Sequence, residues 1–231
     1  MDEVATTWVR PAGLQGRLGQ HPLTRYHFVL RRLHSLTGVL PVGAFLVEHL
    51  LTVYAAVLGH YAEYAGELEH LPWLRLVEWM FIILPLAFHG AYGLFITTTG
   101  QSNVLRYRFS GNIRYTLQRI SAVILAVFLV VHLFKFRFNF LLPGGQEFTA
   151  GNALAMTIHG LGDGRIVAFY ALGVLAAAYH FANGLWTAAI TWGVTLGAHA
   201  QWRFGWICAA IGVTLGVIGE WGLFWFYAQA G

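Results

Sequence analysis

Cysteine is nearly absent: Cys208 is the only one. A single thiol excludes an intrachain disulfide, a Cys-rich iron–sulfur or zinc site, and a C-x-x-C-H haem attachment, so any haem here is non-covalent. Charge is scarce as well. Asp, Glu, Lys and Arg make up 10% of the 231 residues, where a soluble domain carries about 25%. Residues 1–32 contain no apolar run of the signal-peptide kind. What the chain has in plenty is apolar length: 57% hydrophobic residues and a mean hydropathy of +0.59, arranged in blocks long enough to cross a bilayer. The net charge of +4 and pI near 9.4 do not indicate nucleic acid, because the arginines sit at the ends of apolar blocks rather than in a groove-sized cluster.

These blocks predict an all-α integral membrane bundle of five transmembrane helices. A polar N-terminal arm covers residues 1–30, and a membrane domain covers residues 31–231. The arm is expected to be irregular or surface-lying to Arg32, carrying Arg10, Arg17, Arg25, Arg31 and Arg32. The helices are expected at about Leu33–Leu58, Trp73–Thr98, Tyr115–Phe138, Arg165–Trp192 and Phe204–Tyr227. Pro41 and Pro85 fall inside the first two, where each removes a backbone hydrogen bond. The links between helices run over residues 59–72, 100–114 and 141–164, the last with a short surface helix near Ala153–His159. A short loop with His199 and Arg203 precedes the fifth helix. Gly212 and Gly216 are spaced for close packing in that helix. The arginine distribution places the N-terminus in the cytoplasm and the C-terminus outside.

Four histidines, His49, His89, His132 and His180, lie deep in four different apolar blocks. An imidazole at membrane depth is costly without a partner. Taken alone, each is explained by a hydrogen bond between helices. Four on four helices, at two depths, suit axial ligation of two haems. On outward-running helices, His49 and His132 both fall in the outer half. His89 lies toward the inner end of the second helix, and His180 lies roughly 18 Å from the inner end of the fourth. The pairs are therefore His49 with His132 and His89 with His180. Gly90, Gly93, Ala182 and Gly184 are expected to leave room for the macrocycles. A haem with two axial imidazoles has no open position and carries electrons. Zinc is not indicated, because no helix carries an H-x-x-x-H pair among its deep histidines. His34, beside Arg31, Arg32 and Ser35 near the inner surface, is a candidate contact for a haem propionate or a quinone, with interfacial hydrogen bonding as the plainer alternative.

The stretch from Arg31 to Gly43, Glu48-His49-Leu50, the stretch from Pro85 to Gly93, Leu117-Gln118-Arg119 and the stretch from His180 to Trp186 together resemble the di-haem cytochrome b subunit of succinate dehydrogenase (succinate:menaquinone oxidoreductase). The resemblance spans all five helices and leaves out the arm. It implies two non-covalent haems b, the inner held by His89 and His180 and the outer by His49 and His132, with Arg31, Ser35 and Arg119 placed to hold propionates. It also implies a flavoprotein subunit with FAD, an iron–sulfur subunit on the cytoplasmic face, and menaquinone as electron acceptor. This chain would be the quinone-reactive subunit, inactive toward succinate alone, in the bacterial cytoplasmic membrane and surrounded by membrane lipid. In related fumarate reductases an acidic residue stands two positions before the fourth-helix haem histidine; here that position is Ala178. Glu48, Glu63, Glu67, Glu69, Glu78 and Glu220 remain candidates for proton exchange. Two alternatives stay open: the same anchor in a quinol:fumarate reductase running the other way, and a haem-free proton-relay or transport subunit.

Overall fold

The computed structural model describes residues 22–231. Among them there are helices and no strands. The arm expected over residues 1–30, with Arg10 and Arg17, lies outside the described residues as far as residue 21. From residue 22 the chain is helical, which corrects only the irregular alternative of the expected irregular or surface-lying segment up to Arg32. Helix α1 (Pro22–Val39) opens on a proline and meets no helix breaker before Gly38. It begins about three turns before Leu33. Along it Arg31 Nε donates to His27 Nε2 at 2.9 Å, and the Arg32 guanidinium lies 4.9 Å from the centre of the Phe28 ring.

Helix α2 (Pro41–Ala55) continues the first span. Pro41 has no N–H, so one ladder bond is missing. Leu40 N still donates to Leu36 O at 2.9 Å, and Ala44 N to Leu40 O at 3.0 Å, so an apolar span runs from Tyr26 to Ala55. The second span, Leu74–Thr99, consists of α4 (Leu74–Val77), a π-helical segment (Glu78–Ile83) and α5 (Leu84–Thr99). In a regular helix the Pro85 ring would strike the carbonyl one turn earlier. The π segment sets that turn wider, with Leu84 N–H donating to Trp79 O five residues back. The third, fourth and fifth spans are α6 (Ser110–Lys135), α8 (Gly164–Thr191) and α9 (Ala198–Ala228).

Two links are more ordered than expected. Residues 59–72 contain α3 (Tyr61–Glu69), in which the good helix formers Ala, Glu and Leu outnumber the two tyrosines and Gly66. Its Tyr61 is buried edge-to-face against Phe226 at 5.5 Å. The loop expected to carry His199 and Arg203 is the start of α9, because nothing from Ala198 to Phe204 interrupts a helix. The short helix expected near Ala153 is α7 (Ala153–Gly160).

Helix α9 packs along α8 and against α2, and α6 packs against α8. These contacts are close because the facing residues are small. A methyl group added at Gly212 would lie 2.8 Å from Ala182 Cβ, at Gly219 2.7 Å from Val174 Cγ1, and at Gly222 2.7 Å from Val53 Cγ1. Gly216 has ordinary clearance, 3.7 Å from Ala178 Cβ. Much of the remaining surface is apolar: none of the most apolar stretch of the second span is buried within the chain. In water such a surface would drive aggregation; in hydrocarbon it is the solvated face.

At the start of α8, Asp163 Oδ1 accepts from Arg165 N at 2.7 Å, and Asp163 Oδ2 accepts from the Arg165 guanidinium at 2.9 Å. The Arg165 hydrogen bonds hold the Asp163 carboxyl down to about 2. A depressed carboxyl pKa contributes stability above the usual carboxylate value and loses it as pH falls through the lowered one. The carboxyl signal of Asp163 in NMR should therefore titrate near 2, and Arg165→Gln should move that midpoint up toward the ordinary range; an unchanged midpoint would contradict the pairing.

Candidate functional site

Two groups of imidazoles lie inside the bundle. The first brings together His89 of α5, His180 of α8 and His34 of α1. The His89 and His180 ring centres are 6.2 Å apart and nearly perpendicular, at 89°. His34 stacks on His89 at 4.1 Å and 6°. The second group pairs His49 of α2 with His132 of α6, ring centres 5.7 Å apart at 76°.

The hydrogen bonds of the first group assign its tautomers. His89 Nδ1 lies 2.9 Å from the His34 carbonyl oxygen, which can only accept, so Nδ1 carries the proton. His180 Nδ1 lies 3.1 Å from Ser121 Oγ. The Ser121 hydroxyl already donates to the Gln118 carbonyl at 3.0 Å, so it accepts from His180. Both rings thus bear the proton on Nδ1 and keep a lone pair on Nε2, the usual state of a metal-binding histidine. Gln118 strengthens the α6–α8 contact: its Nε2 donates to the His180 carbonyl at 3.1 Å, and its Oε1 accepts from Asn183 Nδ2 at 2.8 Å. Gly38 admits the His89 ring, since a Cβ there would lie 2.6 Å from His89 Nδ1.

The second group is enclosed by aromatic rings. Phe45 stacks on His49 at 5.4 Å. Phe128, Phe136 and Tyr170 surround His132 at 5.4, 5.5 and 5.8 Å. His132 Nδ1 and the Tyr170 hydroxyl are buried with no hydrogen-bond partner among the described residues. Each orphaned polar group costs about 1–3 kcal/mol. Beside it, Glu48 Oε1 accepts from Thr52 Oγ1 at 2.7 Å.

Among the described residues no three His, Cys, Asp or Glu converge on one point. Two imidazoles are too few for a protein-only zinc site. They suit a metal that brings its remaining ligands in a macrocycle. The ring-centre spacings of 6.2 and 5.7 Å would let each pair hold one metal ion.

The other candidates are more scattered. The described contact of Arg31 is with His27 on its own helix. Ser35 Oγ accepts from Trp192 Nε1 at 3.4 Å. Arg119 lies over the Tyr115 ring at 3.4 Å and donates to the Tyr115 carbonyl at 3.2 Å. The small residues divide by helical phase, about 100° per residue. Gly93 faces the His34 ring, with His34 Nε2 3.0 Å from an added Cβ, and Gly184 lies beside Gln118. Ala182 instead faces Gly212 of α9, and Gly90 opens on the exposed surface; neither makes room beside the histidines. Among the acids, Glu78 forms a two-point ion pair with Arg137, with Arg137 NH2 to Glu78 Oε2 at 2.8 Å, which pushes the Arg137 pKa up. Glu69 accepts from Ala150 N at 3.1 Å and Glu63 contacts His60 at 3.1 Å. Ser121 was not singled out from the sequence. Its signal was phase: it lies eleven residues, about three turns, before His132 on the same helix.

Over 176 residues the chain is 35% identical to the succinate dehydrogenase cytochrome b558 subunit of Bacillus subtilis (strain 168), an alignment covering 75% of this chain and 84% of that protein. The chain belongs to the succinate dehydrogenase cytochrome b subunit family. No model of a protein family matches it. It is thus a membrane-anchor subunit of succinate dehydrogenase, a multi-pass protein of the cytoplasmic membrane with five spans among the described residues.

Gly38→Val should push the His89 ring off the His34 carbonyl at a cost of about 1–3 kcal/mol. It should lower the thermal midpoint and shift the His89 imidazole ¹⁵N resonances. Gly90→Ala, where the added methyl meets open space, should change neither.

Proposed function

We propose that this anchor binds two haems b, one between His89 and His180 and one between His49 and His132. The observation that carries the proposal is the tautomer state of the first pair. Both Nδ1–H groups are consumed by acceptors inside the bundle, the His34 carbonyl and Ser121 Oγ, so both rings keep Nε2 for a metal. When bound, the haems supply one-electron carriers by which electrons from succinate, delivered by FAD-containing and iron–sulfur subunits, reach menaquinone.

The chain's own residues position and insulate that system. Ser121 and the His34 carbonyl fix two ligand rings, and Gln118 ties α6 to α8 at the level of His180. Phe45, Phe128, Phe136 and Tyr170 exclude water from the second pair. The arginine distribution supports a cytoplasmic N-terminus, which puts His89 and His180 on the inner side and His49 and His132 on the outer. In that orientation an electron moving outward across a positive-outside potential gains about 2.3 kcal/mol per 100 mV, which helps drive the reduction of menaquinone near the outer surface. Glu78, held by Arg137, acts there as a structural group tying the second span to the end of the third.

The purified complex should show a b-type α-band on reduction, with two haems per anchor. His180→Ala should remove about half of that absorbance and His49→Ala the other half. Loss of both haems in either variant with helix content intact would break the pairing, and absence of the band in the unmodified protein would end the haem proposal.

A further inference from the structure

The first histidine group holds one imidazole more than a pair of axial ligands needs. His34 stacks on His89 with ring centres 4.1 Å apart and planes 6° from parallel. It is not placed as a third ligand. A nitrogen lone pair lies in the plane of its ring, and two stacked, nearly parallel planes do not converge. A metal on His89 Nε2 is therefore out of line with both nitrogens of His34.

The stack is built reciprocally by two helices. One turn beyond His34 stands Gly38, where an added Cβ would lie 2.6 Å from His89 Nδ1. One turn beyond His89 stands Gly93, where an added Cβ would lie 3.0 Å from His34 Nε2. Each ring thus lies over a glycine of the opposing helix. His34 also holds its neighbour through the main chain. Its carbonyl accepts from His89 Nδ1 at 2.9 Å and from Thr37 Oγ1 at 3.1 Å, which occupies both lone pairs of that oxygen. Tyr92 lies against the His34 ring in turn, with centres 5.9 Å apart and planes tilted by 59°.

The two contacts to His89 act on different freedoms. A hydrogen bond through Nδ1 fixes where one nitrogen points and leaves the ring able to roll about that line. A flat ring stacked on its face removes the roll. Across the pair, the plane of His89 stands at 89° to that of His180.

We propose that the imidazole ring of His34 is a positioning group that sets the plane of His89 at a right angle to His180. The stack itself needs no haem; its consequence for a metal rests on the reading of His89 and His180 as haem ligands. The planes of two axial imidazoles decide which iron d orbitals they donate into, so their mutual angle governs the magnetic anisotropy of the oxidised iron.

The test has two arms. In the full chain without haem, isotope-labelled at histidine, the ring protons of His89 should lie upfield under the ring current of His34. His34→Ala should move them downfield and weaken the Overhauser effects between the His89 and His180 rings. His34→Phe, which keeps a flat ring and no nitrogen, should restore both. In the oxidised complex His34→Ala should keep both haems, because the carbonyl is main-chain. The largest g value of the inner haem's electron paramagnetic resonance signal should fall as the planes leave the perpendicular. The outer signal should stay in place, and His34→Phe should restore the inner one. Circular dichroism reports folding; if His34→Ala is not folded, Gly93→Ala decides, since its methyl presses on His34 Nε2 and should shift the same signals the same way. Unmoved His89 protons, an unmoved inner signal, loss of the inner haem from folded His34→Ala, or no restoration by folded His34→Phe would each overturn the proposal. An unmodified complex without haem would end the haem reading instead, and the Overhauser effects would still decide the role of His34.

Discussion

An imidazole N–H inside a bilayer has no water to turn to, and the rest of this bundle follows from where that proton goes. For His89 it goes to a main-chain carbonyl of α1, and for His180 to a serine of α6 that is itself committed to Gln118. Each bond fixes the rotation of one helix against another. A turn of α5 by one residue, about 100°, would take His89 away from His34 and leave a donor unsatisfied at a cost of about 1–3 kcal/mol. Helix phase is thus set by polar groups, because lipid tails are as apolar as the leucines and valines between helices and discriminate poorly among rotations.

Close approach is the second requirement, and it is met by missing side chains. Gly38 lets α5 bring an imidazole onto α1; Gly219 and Gly222 let α9 lie against Val174 and Val53. The two prolines have complementary effects. Pro41 interrupts the first span just beyond Gly38, and Pro85 is accommodated by a π segment just before His89. Pro41 lies seven residues after His34 and the π segment ends six residues before His89, each about two turns from the first histidine group.

The spans and the four deep histidines were legible in the sequence, because length, apolarity and the cost of an isolated polar ring are local properties. Helix ends were less so. The continuations at residues 22–32, 61–69 and 198–203 contain no proline beyond their first residue, and polar composition alone put them in links and arm. Side-chain phase was legible only in part. Ala182 is two residues from His180, about 200° around the helix, so proximity in sequence put it on the wrong face. Ser121 was hidden for a different reason: a lone serine in an apolar helix most often bonds its own preceding turn, as this one also does. Only the opposing helix reveals that its oxygen has a second role.

The two histidine groups differ in how far the protein alone satisfies them. The first is closed: every Nδ1–H of the His89–His180 pair has an acceptor, and the lone pairs that remain are on Nε2. The second is open: His132 Nδ1 and the Tyr170 hydroxyl are buried in an aromatic enclosure without hydrogen-bond partners among the described residues. Asn183, on the other side of the Gln118 bridge, is tied in by its Nδ2. In a chain with 10% charged residues and hydrocarbon on its outer face, polar atoms are too few and too costly to be left over by chance. The hydrogen-bonded ones build the scaffold. Ser121, Gln118 and the His34 carbonyl form the frame that orients the first histidine pair.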